Sequence, residues 1–150
     1  MRPWLFGRPL VLAAVLTAPL SAQRVTEWQI GALATLSDAP LVAGGLGYAQ
    51  RAGRARLAIV AAVGSLDGAL AARGEVLVGF LLTPARRRGA GIYAAGGVAV
   101  ITTRNTTAER LVATLGVEGT PGGRSGWYVE AGAGGGVRVA AGFRWRRPRR

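Results

Sequence analysis

Three serines in the body of the chain, Ser37, Ser65 and Ser125, and two glutamates, Glu118 and Glu130, are the side chains best suited to turning over a substrate. A serine attacks a carbonyl only after a neighbouring base has taken its proton, and that base is usually histidine. The chain has no histidine and no cysteine, so no nucleophilic triad and no disulfide framework can be drawn. Metal sites lose their commonest ligand for the same reason. Two carboxylates can still divide the work of acid and base. With 19 basic residues in the chain, all arginine, ion pairing is the expected role of Glu118 and Glu130. The glycine clusters GGLG at 44–47 and GAG at 89–91 lack the strand–loop–helix setting of a phosphate cradle. Asn105-Thr106-Thr107 reads as an ordinary turn. No catalytic, cofactor-binding or metal-binding residue is expected, no cofactor is implied, and the chain does not read as an enzyme.

The elements that carry these residues begin after an export signal. MRPWLFGRPLVLAAVLTAPLSAQ places Arg2 and Arg8 before an apolar run of about a dozen residues and small residues at Ser21 and Ala22, the layout of a secretory signal peptide spanning residues 1–22. No later segment supplies the roughly 20 apolar residues of a membrane-spanning helix. The remainder divides into short segments at 27–36, 41–50, 55–64, 71–82, 91–102, 109–118, 126–134 and 137–145. Breakers rich in Gly, Pro, Asp and Asn separate them. This predicts eight strands and an all-β chain: an eight-stranded antiparallel up-and-down barrel at 23–145, followed by a basic tail at 146–150.

Period-2 alternation assigns the faces. Leu57, Ile59, Ala61 and Val63 share one side of the third strand, and Val137, Val139, Ala141, Phe143 and Trp145 share one side of the last. The opposite faces are small, with scattered charges, which makes a poor water-facing surface but suits a narrow lumen. Glu27, Arg56, Arg73, Glu75, Arg110, Glu118, Glu130, Arg138 and Arg144 are expected to meet there as a charge network, with Gln29 among them. The alternative is a solvated face of a soluble sheet.

A meander also sorts its ends. The end holding both termini collects Arg24, Arg51, Arg54, Arg86, Arg87, Arg88, Arg124, Arg146, Arg147, Arg149 and Arg150, while the opposite end holds Asp38, Asp67 and Arg104. The aromatics Trp28, Tyr48, Phe80, Tyr93, Trp127, Phe143 and Trp145 also fall near the terminus end, with Tyr128 beside them. Trp and Tyr among them favour a water–lipid boundary, because their apolar rings carry a polar N–H or O–H.

In these features the sequence resembles the small eight-stranded outer-membrane barrels of Gram-negative bacteria, of the OmpA and OmpX type. The resemblance is architectural and covers nearly all the mature chain. In that class the final strand carries a signal read by the barrel-assembly machinery: a polar residue, glycine two on, then hydrophobic or aromatic residues five and seven on. Those slots hold Arg138, Ala140, Phe143 and Trp145, with alanine in the glycine place and residues 146–150 continuing past the aromatic. The resemblance implies an outer-membrane location, with outer-membrane lipid and the assembly machinery as partners. Short connections throughout offer no long outer loops for adhesion. Nucleic acid is not expected as a partner, since no aromatic stacking platform lies among the arginines. The runner-up reading is a secreted or periplasmic lipocalin-like barrel that binds a small apolar ligand. The physiological role and the oligomeric state are not legible.

Overall fold

A computed structural model describes residues 24–83 and 88–148. The expected export signal, Arg86, Arg87, Arg149 and Arg150 lie outside the described residues. Eight strands follow one another: β1 (Arg24–Leu36), β2 (Leu41–Ala52), β3 (Ala55–Leu66), β4 (Ala69–Leu81), β5 (Ala90–Thr102), β6 (Thr107–Gly119), β7 (Ser125–Ala133) and β8 (Val137–Pro148). Each pairs antiparallel with its sequence neighbour, and β8 closes on β1, so the sheet is a closed meander barrel. Closure pairs the first and last strands and leaves no free sheet edge along the seam.

Turn chemistry sets several registers. Between β3 and β4 the two-residue link Asp67-Gly68 holds positive φ at both positions, 49° and 80°. That is the backbone of a type I′ hairpin turn, in which glycine meets no steric penalty and aspartate only a small one. It fixes Leu66 opposite Ala69 and, through the period of two, every side chain of both strands.

The strand ends differ from the sequence reading at two places that matter. β2 continues to Ala52 and β8 to Pro148. Arg51 and Arg146 are therefore strand residues on the inward series, not members of a turn or a tail. A basic tail starting at residue 146 is thus corrected: Arg146 and Arg147 belong to β8.

The barrel is inverted with respect to a water-soluble one. Large apolar side chains from every strand point outward and are exposed, among them Ile30, Leu46, Ile59, Val98, Leu115 and Val129. Inside lie small residues, an apolar cluster and nearly all the buried charge.

Candidate functional site: the charged lumen and its aromatic belt

The lumen charges form one connected chain of ion pairs and hydrogen bonds. Near the termini, Glu27 of β1 faces Arg51 Nε at 3.1 Å and accepts from Arg56 Nε at 2.8 Å and Arg146 Nε at 3.2 Å. Glu118 of β6 accepts from Arg51 at 2.7 Å, Arg144 at 2.9 Å and Arg146 at 2.6 Å. Two arginines, Arg51 and Arg146, therefore bridge both carboxylates. Further along, Glu130 accepts from Arg144 and Arg138, each at 2.9 Å, and from the Tyr93 hydroxyl at 2.7 Å. Arg138 then reaches Glu75 at 3.0 Å, and Glu75 accepts from Arg73 at 2.7 Å. Gln29 ties two branches together by accepting from Arg56 Nη2 at 2.7 Å and Arg144 Nε at 3.2 Å.

Arg144 is the hub. It is wholly buried and donates to Gln29, Glu118, Glu130 and Tyr93, while its guanidinium lies 4.1 Å from the Tyr128 ring centre and 4.8 Å from that of Tyr93. Cation–π contacts strengthen when the cation is desolvated, as here. Glycine makes room for these rings. A Cβ at Gly116 would strike the Tyr93 ring, and one at Gly31 would strike the Tyr128 hydroxyl.

Six buried arginines meet four buried glutamates. Part of the surplus N–H is taken by backbone carbonyls: Arg51 donates to Pro121 and Arg146 to Thr120. Charges taken out of water persist only when paired and hydrogen-bonded, and removing one partner is far more damaging than replacing the whole set. Among the described residues, small spaces of about 20 and 10 Å³ lie in the lumen. Each has room for about one water molecule. Neither is a ligand cavity.

Of the nine charges expected in the lumen, the structure brings together Glu27, Arg56, Arg73, Glu75, Glu118, Glu130, Arg138 and Arg144. Arg110 is the exception. It has the inward parity but sits on β6 close to the far rim, exposed, with Nη1 on the carbonyl of Glu109. Water reaches it there, so no carboxylate partner is demanded. Arg51 and Arg146 fall outside the expected network because the breaker pattern ends their strands one residue short of each. Extending the inward series by one step of two would have found both.

The aromatics divide between two environments. Trp28, Phe80, Trp127, Phe143 and Trp145 are exposed on the outer surface, and Tyr48 packs edge-on against Trp28 at 5.1 Å. Registers hold several of them at one level, with Trp28 opposite both Tyr48 and Trp145, and Trp127 opposite Phe143. Tyr93 does not belong to this belt. It points into the lumen, 4 % exposed. The run of Gly and Ala at 94–97 gave the fifth strand no apolar alternation from which to assign its faces. In β8 the four positions compared with an assembly signal split by face: Arg138 and Ala140 inward, Phe143 and Trp145 outward.

This geometry has a solved counterpart. The N-terminal β-barrel domain of OprF from Pseudomonas aeruginosa superimposes with a TM-score of 0.62 over 84 % of this chain and 99 % of that domain, at 13 % sequence identity. The chain has the fold of the small eight-stranded outer-membrane barrels. No family model matches the sequence, and no curated protein matches it. At that identity the likeness to OprF is one of backbone architecture, maintained by alternation and turns. Alternation asks only for an apolar outward series, a condition many unrelated side-chain sets satisfy.

Proposed function

We propose that this chain is an outer-membrane β-barrel protein of a Gram-negative bacterium, exported by its N-terminal signal. In this reading it has a structural or membrane-organising role and a closed lumen. The observation that carries the reading is the inversion of the barrel. Apolar side chains cover the outside while the buried charge lies inside. Lipid accepts such an outer surface and a sheet closed into a barrel. Water does not, because an exposed apolar band of this extent drives association. The belt containing Trp28, Tyr48, Trp127 and Trp145 marks the interface on the terminus side. The likeness to the OprF barrel supports the same reading through the fold.

A catalytic role finds no support in the lumen, where each glutamate accepts from arginines and is not free to shuttle a proton. The lipocalin-like alternative needs an apolar cavity, and the lumen holds salt bridges and water-sized gaps instead. The final strand, with Arg138, Ala140, Phe143 and Trp145, is what the barrel-assembly machinery would read.

Cell fractionation followed by gel electrophoresis with and without boiling tests the proposal. Recovery with the outer membrane and a heat-dependent change in mobility is the expected result. Recovery in the soluble periplasm, with one mobility in both samples, would overturn it.

A further inference from the structure

The seven carboxylate side chains of the chain can all be placed. Glu27, Glu75, Glu118 and Glu130 are buried in the lumen, and Asp38, Asp67 and Glu109 are exposed toward the end opposite the termini. The terminus rim therefore has no carboxylate side chain outside the lumen. Exposed at that rim are Arg24, Arg54, Arg88, Arg124 and Arg147. Among the described residues none of the five lies within ion-pair distance of an acid. The two acids nearest this rim, Glu27 and Glu118, are already taken by Arg51, Arg56, Arg144 and Arg146.

The seam between β1 and β8 gives this rim its sharpest geometry. Trp28 pairs with Trp145, and one step closer to the rim Thr26 pairs with Arg147. Arg24 and Arg147 both stand on the outward series of their strands, the same face as the two tryptophans. Two guanidinium groups with no acid within ion-pair distance thus lie just beyond an indole pair that the outer-membrane reading puts at the acyl–headgroup boundary. A guanidinium binds a phosphate through two parallel N–H···O bonds, and arginine keeps its charge throughout the physiological range.

We propose that the terminus rim is a binding surface for anionic phospholipid headgroups, with Arg24 and Arg147 as its central pair and Arg54, Arg88 and Arg124 extending it around the barrel. This rests on the outer-membrane reading and deepens it. The barrel discriminates between its two membrane surfaces, recruiting acidic phospholipid in the leaflet on the terminus side and balancing Asp38, Asp67 and Glu109 against Arg104 and Arg110 on the other. The preference comes from charge and bidentate geometry, so salt weakens it.

Spin-labelled lipids test this directly. The full chain is folded into phosphatidylcholine vesicles containing either spin-labelled phosphatidylglycerol or spin-labelled phosphatidylcholine. Electron paramagnetic resonance then reads the lipid immobilised at the protein surface. Phosphatidylglycerol is expected to be preferred on the order of fivefold at low ionic strength, the scale of a juxtamembrane arginine at an anionic surface. The R24Q/R147Q variant is expected to lose most of that preference while keeping its heat-dependent gel shift, and R104Q at the opposite rim is expected to retain it. Equal association of the two lipids with an inserted wild-type barrel would overturn the inference and leave the outer-membrane reading standing. So would a preference unchanged in R24Q/R147Q. Failure of the wild-type chain to insert would take down both.

Discussion

The lumen is filled in two different ways along its length. On the terminus side Glu27, Glu118, Arg51, Arg56, Arg144 and Arg146 form a dense set of directional contacts, with Tyr93 and Tyr128 stacked against Arg144. On the opposite side Leu33, Leu41, Ala43, Ala62, Ala71, Ile101 and Ala140 pack as an apolar cluster, beside the smaller ion-paired group of Arg73, Glu75 and Arg138. The charged half ties together strands that are not neighbours: Arg51 of β2 reaches Glu118 of β6, and Arg56 of β3 reaches Glu27 of β1. The apolar half fills volume with contacts that do not depend on angle. Directional pairs are unforgiving, since an unpaired buried charge is costly, whereas an apolar cluster can relax around a loss.

This contrast can be broken most strongly in the charged half. Glu118→Gln leaves Arg51, Arg144 and Arg146 short of a counter-charge and is expected to cost about 3–5 kcal/mol, the usual penalty for breaking a buried pair. Unfolding of the refolded barrel by urea in detergent micelles measures it. In the apolar half, Leu41→Ala removes a fully buried side chain at the barrel mouth. There the neighbours can collapse, so the same assay should give about 2–3 kcal/mol, toward the lower end for such truncations. If Leu41→Ala proved the more damaging, the two halves would not differ as described.

Gly116→Ala sharpens the comparison from the backbone side. The added methyl meets the Tyr93 ring and must push it from its place between Arg144 and Glu130. A loss of about 1–3 kcal/mol is expected, as for other overpacked sites, with a change in tyrosine circular dichroism. Arg110→Ala is the smallest effect. Because Arg110 is exposed, its removal should change stability by no more than about 0.5 kcal/mol. A large loss there would mean that the ion network reaches the rim.

The limits of a reading from sequence show in particular residues. Alternation placed Leu57, Ile59, Phe143 and Trp145 on the outer surface, and the structure has all four exposed there. It could not place Tyr93, because Ala94, Ala95, Gly96 and Gly97 carry no contrast between faces. Nor did it reach Arg51 and Arg146. Whether a strand runs one residue further depends on hydrogen bonds to its neighbours, and composition at the ends does not encode them. Arg110 failed differently: its parity was right, but its height along the barrel decided its exposure.

The sequence by itself determined that the chain is all-β, that it has eight strands, that one face is apolar and the other small and charged, and that one end is rich in arginine and aromatic rings. Those properties depend on spacing and composition, which local stereochemistry converts into strands and faces. Only the tertiary structure decided which arginine meets which glutamate, that Tyr93 stacks on Arg144 instead of facing outward, and that the rim arginines among the described residues have no acid beside them. Each of these depends on strand stagger, which brings together residues as distant as Glu27 and Arg146 and is settled only when the barrel closes.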